Sequence, residues 1–356
     1  ADARAVLAGR MRFQAPACEL LGSSLYADLL ERVAVDLEGG GPSWEVLRGH
    51  EGDPGGSALA LRLLGAVNRL VLGGEEPALG RVYQDPGRDP GEAWREFRAV
   101  LERNVERLRG LVERPVQTNE VGRCAALLPG FLAVAAKTGL PLRLLEVGAS
   151  AGFNLSWDRY RYLSDRFEWG PSDSPLTVRF ELEGEWAFPA AERVGIAERR
   201  GCDAAPVDPA GPDGSIDSLA YIWPDQRDRV ERVRAALEIA RERRPPVERA
   251  SAAAWAGRVL REPAPGRATV LFYSIVEQYL SEAELASFHR HVREAGERAT
   301  AAAPLAWLRM EPADEWAEVR LATWPGGEDR LLARAGYHGT PVHPGVSKSV
   351  RCGTNT

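Results

Sequence analysis

LRLLEVGASAGFNL, residues 142–155, decides the fold, because it supports two incompatible readings. Gly148, Ser150 and Gly152 spell G-x-S-x-G, a nucleophile elbow in which a serine sits on a tight turn between a strand and a helix. Behind Glu146 the same residues spell E-x-G-x-x-x-G, a glycine loop for close approach of a cofactor. One reading makes Ser150 a nucleophile and the other makes it a loop residue. The flanking sequence separates them.

Before Leu142 no convincing strand is found. LYADLLERVAVDLE and SALALRLLGAVNRLVL carry apolar residues at helical spacing. GEAWREFRAVLERNVERLRGLVER reads as one long amphipathic helix up to Pro115. EGGGPS, GHEGDPGG and YQDPGRDPG read as loops from their turn residues. After Leu142 strands and helices alternate. RVGIAERRGCD is followed by a helix in PDQRDRVERVRAALEIARERR, the short strand VERAS and a helix in AAAWAGRVLRE. ATVLFYSIV is the most strand-like segment. It leads into a helix whose Ser281 and Glu284 fit a capping box. APLAWLRME is a further strand, and EVRLATWPGGEDRLLARAGYHG predicts a hairpin about Pro325-Gly326-Gly327. Alternation of this kind predicts an α/β fold, a mostly parallel sheet covered on both faces and closed by an antiparallel hairpin. The expected organisation is a helical region over 1–136, an α/β domain over 137–346 with a β-rich insert at about 160–190, and a tail over 347–356.

A length of 356 residues suffices for a large core, and 44 % apolar beside 27 % charged residues is a globular balance. The formal charge of −6 argues against nucleic-acid binding. No apolar run reaches the roughly 20 residues of a membrane helix, and the first residues are too polar for a signal peptide. Cys18, Cys124, Cys202 and Cys352 form no C-x-x-C pair, so no metal site or disulfide framework is expected and a cytoplasmic location is. His289 and His291, two apart on a helix, do not face each other as ligands would. Nearly all basic residues are arginine, which fits a GC-rich coding genome.

An α/β-hydrolase places several strands before its elbow, whereas Ser150 ends the first credible one. The hydrolase reading, with His338 or His343 as triad partner, therefore ranks last. The glycine-loop reading requires the loop to follow the first strand of a doubly wound sheet, and it does. Ser150 replaces the middle glycine of the dinucleotide fingerprint, which weakens a pyrophosphate reading.

E-x-G at the end of the first strand, the alternating order and the final hairpin resemble the Rossmann-like S-adenosylmethionine-dependent methyltransferases. TNEVGR, LLEVGASAGFNL, GCDAAPVDP, YIWPDQ and TWPGGED resemble more closely an uncharacterised bacterial family of domain-of-unknown-function proteins, the 2332 series, over nearly the whole chain. The resemblance implies S-adenosylmethionine as cofactor and an unknown small molecule as methyl acceptor. An alternative is a non-catalytic S-adenosylmethionine- or nucleotide-binding regulatory protein. The sequence leaves the oligomeric state open.

Under that resemblance Glu146 meets the cationic cofactor, and Gly148, Ala149, Ser150, Gly152 and Asn154 form its loop. Asp203 is the expected ribose acid, with Asp208 behind it and Glu181 or Glu183 as alternatives. Ser251 stands where an adenine-contacting acid is usual, with Trp255 behind it as a pocket wall or a core residue. Asn119 and Glu120 are expected to fold over the cofactor. Tyr273 and Glu277 follow the fourth strand as catalytic candidates, Glu277 as the base.

Overall fold

The computed structural model describes residues 2–184 and 193–345; the end of the expected insert, 185–190, and the tail 347–356 lie outside the described residues. The chain begins with eight helices, α1 (Ala3–Leu20), α2 (Ser24–Glu38), α3 (Pro42–Leu47), α4 (Leu59–Leu72), α5 (Pro77–Gln84), α6 (Pro90–Arg103), α7 (Val105–Val112) and α8 (Arg123–Thr138). Strand β1 (Leu142–Val147) follows, then β2 (Arg161–Leu163), β3 (Glu168–Trp169), β4 (Thr177–Arg179) and β5 (Ile196–Asp203). Next come α9 (Gly214–Leu219), α10 (Arg227–Arg243), β6 (Val247–Arg249), α11 (Ala252–Val259), β7 (Ala268–Ser274) and α12 (Glu282–Glu297). Strands β8 (Leu305–Ala313), β9 (Trp316–Trp324), β10 (Glu328–Ala335) and β11 (Val342–Pro344) end the described fold.

Two compact units form, and neither is one continuous stretch of chain. The first is helical and takes residues up to Glu120 together with Val207–Arg241. Its helices start where the sequence supplies caps: the Ser23 hydroxyl accepts from Tyr26 N–H at 3.2 Å, and Asp89 accepts from Glu92 N–H at 2.7 Å just before Pro90. Leu29, Leu30, Val33, Leu63, Leu64, Val67 and Phe97 are fully buried in its core. The long helix expected up to Pro115 is interrupted at Asn104. The Asn104 side-chain amide donates to Glu76 Oε1 at 2.7 Å and to the Val100 carbonyl at 3.0 Å, competing with the helical ladder, and α7 starts afresh.

YIWPDQ joins the later segment to this unit. Asp225 accepts from the Ser23 hydroxyl at 2.8 Å and from Leu25 N–H at 3.2 Å, at the start of α2. The Asn68 amide donates to the carbonyls of Ala220 at 3.0 Å and Ile222 at 3.2 Å. Gln226 donates to the Leu21 carbonyl at 2.7 Å. These bonds satisfy buried polar groups, so the motif has a structural role in this unit.

The second unit is mixed α/β. Its eight-stranded sheet runs β11-β10-β9-β8-β7-β1-β5-β6. Five adjacent strands, from β8 to β6, pair in parallel, and β9, β10 and β11 add antiparallel pairs. β1 is buried along its whole length, as a central parallel strand must be. From β1 the chain moves to β5 and β6 on one side, then returns to β7 and β8 on the other, so winding reverses at β1. The hairpin about Pro325-Gly326-Gly327 joins β9 to β10 as expected. A tighter one joins β8 to β9 through Asp314, at φ +55°.

α8 covers one face at β7 and β8. Trp255, Tyr273, Phe288, Val292 and Trp307 build the core under α11 and α12 on the other. The capping box of α12 forms by half. The Ser281 hydroxyl accepts from Glu284 N–H at 3.3 Å, but the Glu284 carboxylate accepts from Ala252 N–H at 3.0 Å and so ties α12 to the start of α11. The insert is a three-stranded sheet, β3-β2-β4.

Candidate functional site

Strand β1 delivers Glu146 to its carboxyl end, and the chain then turns through Gly148 (φ +70°), Ser150 (φ +49°) and Gly152 (φ +75°). Glycine is required at position 148 for two reasons. The left-handed backbone disfavours a side chain, and a Cβ there would lie 2.5 Å from Val276 Cγ2. The loop after β7 thus lies directly on the loop after β1.

The amides of the glycine loop are largely consumed within the protein. Ala149 N–H donates to the Cys202 carbonyl at 3.0 Å, Gly152 N–H to the Ala149 carbonyl at 2.7 Å, and Ser150 N–H to Asp203 Oδ2 at 2.9 Å. Asp203 also accepts from Ala205 N–H at 2.8 Å. Strand pairing explains this arrangement: Val147 lies beside Cys202, so the residue that ends β5 reaches the loop that leaves β1.

Glu146 is 3 % exposed. Burial pushes its carboxyl well above the usual carboxylate range, and the nearby Asp203 charge adds to the shift; bonds from the Asn154 side chain and Leu155 N–H oppose it. Asn154 is fixed in turn by the Cys124 thiol, which donates to its Oδ1 at 3.1 Å. Glu146 Oε2 has no hydrogen-bond partner.

The loop after β7 carries the second group. Ile275 has φ +55°, an outlier for a β-branched residue, worth about 1–3 kcal/mol of strain. Bonds hold it there: Ile275 N–H donates to the Met310 carbonyl at 2.8 Å, Val276 N–H to Glu311 Oε1 at 2.8 Å, and Arg123 to the Ser274 carbonyl at 3.4 Å. Glu277 Oε1 accepts from the Tyr273 hydroxyl at 2.6 Å and meets His289 Nε2 at 3.0 Å, while Trp307 Nε1 donates to the Tyr273 oxygen at 3.1 Å. Burial alone would raise the Glu277 carboxyl, but the bonds from His289 and Tyr273 outweigh it and hold the group below the usual range. Glu311 is pushed up to about 7 by burial, with the Glu277 charge adding to the shift and Val276 N–H opposing it.

Asp203, rather than Glu181 or Glu183, joins Glu146 at the loop. Glu183 pairs with His343 at 3.3 Å beside β11, and Glu181 N–H bonds the Thr340 hydroxyl at 2.9 Å. β11 is five strands from β1, about 24 Å at ordinary strand spacing, which also separates the His343 imidazole from Ser150. Ser251 caps α11, accepting from Ala254 N–H at 3.4 Å. Trp255 is a core residue whose Nε1 donates to Glu248 at 3.1 Å. Asp208 accepts from Ala210 N–H at 2.9 Å within its own turn in the first unit.

Asn119 and Glu120 also belong to the first unit. The Asn119 amide donates to the Ser218 carbonyl at 3.3 Å, and Glu120 lies 2.6 Å from Arg229 Nε and 3.7 Å from Arg232. Tyr273 is fully buried, with its hydroxyl committed to Glu277 and Trp307.

Three participants escape a reading of sequence alone. Glu311 was visible in principle, since Trp307, Arg309 and Glu311 alternate onto one face of β8. His289 reaches Glu277 across the fold from α12, and Arg123 reaches Ser274 from α8. No local pattern announces either contact. Glu248, on the edge strand β6, is held by Arg200 at 2.6 Å, Trp255 and Arg258, and its carboxyl is lowered to about 2.

Glu311 gives a test of the site's electrostatics. A carboxyl raised from 4.5 to about 7 in the fold keeps its proton while the unfolded chain releases its own. Stability should therefore fall as pH rises from about 4.5 to about 7 and level off above that. Glu311→Gln keeps an acceptor for Val276 N–H and removes the titration. The variant should match the wild type near pH 4.5 and exceed it at pH 8 by up to about 3 kcal/mol in urea unfolding. Parallel pH profiles for the two proteins would show that Glu311 titrates normally.

These features define an α/β protein with an acid-lined glycine loop at the carboxyl ends of a mostly parallel sheet. The chain belongs to a bacterial family described as "Uncharacterized protein conserved in bacteria (DUF2332)", whose model matches residues 8–343. No curated protein matches the chain, and no solved structure does. Among the described residues no helix is long and apolar enough to cross a membrane, and no cluster of His, Cys, Asp or Glu has the makings of a metal site.

Proposed function

We propose that this protein is an S-adenosylmethionine-dependent methyltransferase with a Rossmann-like core acting on a small molecule. The observation that carries the reading is the Glu146 carboxyl, buried at the switch point of the sheet with one oxygen lacking a partner. A buried polar oxygen without a partner costs about 1–3 kcal/mol, which a hydrogen-bonding or cationic ligand relieves. A dinucleotide fits less well. The amides that would cradle its pyrophosphate are bonded to Cys202, Asp203 and Ala149, and the Asp203 carboxylate would repel it.

When bound, S-adenosylmethionine supplies an electrophilic methyl group on a sulfonium centre. Glu146, once ionised beside that centre, would offset its positive charge, and Asp203, fixed by the Ser150 and Ala205 amides at the same loop, would meet the ribose hydroxyls. Glu277 has one oxygen engaged by Tyr273 and His289. Its low pKa makes it a weak base that stays ionised, so it orients an N–H or O–H of the acceptor rather than stripping it. Tyr273 and His289 position that carboxylate. The second reading, a binding protein without turnover, is favoured by the burial of Tyr273 and by Ser251 serving as a helix cap.

The test is thermal shift with S-adenosylmethionine, S-adenosylhomocysteine, NAD and ATP, on wild type and Glu146→Gln. S-adenosylmethionine should stabilise the wild type. The variant should bind it about ten- to a hundredfold more weakly, corresponding to about 1.5–3 kcal/mol for one charge-assisted contact. Stabilisation by NAD alone, or equal affinity in the variant, would overturn the reading.

A further inference from the structure

Among the described residues the large apolar side chains left exposed are Phe13, Leu20, Val35 and Tyr279, and the first three lie on the neighbouring helices α1 and α2. Phe13 and Leu20 are each 86 % exposed. Seven residues apart, they diverge by only about 20° around the helix and form one stripe. Between them lie the small residues Pro16 and Ala17, so the stripe has a large residue at each end and a low waist. Apolar side chains concentrated on one helix face of a folded chain mark a contact surface.

Charge identifies what covers it. Beside the stripe, Arg12 adjoins Phe13 and Glu19 adjoins Leu20, so one end is basic and the other acidic, while Arg4 lies over Trp44 and Arg10 bonds the Glu51 and Asp53 carbonyls. Glu19 makes no ion pair among the described residues. This polarity opposes the helix dipole, which favours acids at the start and bases at the end, so it does not serve the isolated helix. It does serve an antiparallel pair of identical helices, in which the Arg12 end of each stripe lies along the Glu19 end of the other. The helix dipoles then also run in opposite directions.

We propose that the α1 face is a two-fold interface with a second copy of this chain. The symmetry axis passes at Pro16 and Ala17, where small residues let the backbones approach. Phe13 of each copy packs on the other copy's Leu20, and Arg12, already paired with Glu38 at 2.6 Å, extends toward the other copy's Glu19. Such an isologous contact closes on itself and needs no further partner. It does not rest on the methyltransferase reading.

Sedimentation equilibrium of the full chain decides it. The wild type should weigh twice 38.8 kDa at micromolar concentration. Phe13→Glu and Leu20→Arg should each weaken the dimer about a hundredfold, as loss of a central anchor does. The variants' thermal midpoints should match that of the wild type diluted below its dimer dissociation constant, because both side chains face solvent in the single chain and only the association is lost. The double variant Phe13→Glu/Leu20→Arg should regain dimer, since the antiparallel register sets each new carboxylate against the other copy's new guanidinium. A wild type that stays monomeric at about 100 μM, a range where weak specific dimers still form, overturns the proposal. So does a dimer indifferent to Phe13→Glu, or a double variant no better than the single ones.

Discussion

Trp157→Ala should lower the stability of the α/β unit by about 3–5 kcal/mol, the range for emptying a buried aromatic site. Trp157 is fully buried, in the short helical turn that follows the glycine loop. Its ring stacks on Phe131 of α8 at 4.4 Å and an interplanar angle of 5°, and on Trp169 of β3 at 5.3 Å. The Trp157 carbonyl accepts from the Tyr162 hydroxyl at 2.8 Å. One side chain thus joins the helix under the sheet, the segment leaving the site and the three-stranded insert. Its indole N–H has no partner, so the residue is retained for its ring. Trp157→Phe, which keeps a stacking ring and removes the orphan donor, should cost less than about 2 kcal/mol. Urea midpoints at unchanged slope give both numbers. An alanine variant within 1 kcal/mol of wild type would show that the stack bears little of the fold.

The same region shows what a sequence reveals and what it withholds. Strands with a continuous apolar run or clear alternation are legible one at a time, so β1 appears in LRLLEV, β7 in ATVLFYS and β8 in the segment from Leu305. The hairpin at Pro325-Gly326-Gly327 is legible because its turn residues are specific. The β8–β9 turn is not, because Asp314 adopts φ +55° without glycine or asparagine to announce it. Periodicity shows which face of α10 is buried but not which unit it joins. That is decided by Asp225, Gln226 and Asn68, whose partners lie over a hundred residues away.

The candidate site divides in the same way. Glu146 and the positive-φ turn follow from E-x-G-x-x-x-G, because glycine spacing encodes backbone conformation. That Asp203 spends its carboxylate on Ser150 and Ala205, or that Glu311 holds the strained Ile275 loop, depends on strand register. Register is a property of neighbouring strands that no single segment carries.

Glu120→Ala should cost the helical unit about 3–5 kcal/mol, as removing one member of a buried ion pair does. Glu120 is 4 % exposed, and its carboxylate sits between Arg229 and Arg232. The Arg229 approach is close but off the N–H direction, so the contact is between charges rather than a directed hydrogen bond. Arg229 is itself buried, lies 5.7 Å from the Trp223 ring and bonds Gln226. It cannot reach water when its partner is lost. The cost of the single change is therefore mainly an uncompensated buried guanidinium, and a second change can remove that. Glu120→Leu combined with Arg229→Met should recover most of the loss, because an apolar pair of similar volume avoids desolvating either charge. A double-mutant cycle in urea measures the coupling, expected at about 2–3 kcal/mol for groups in direct contact. If the two single losses simply add, the pair does not act as a unit, and the cost of Glu120→Ala comes from its other contacts.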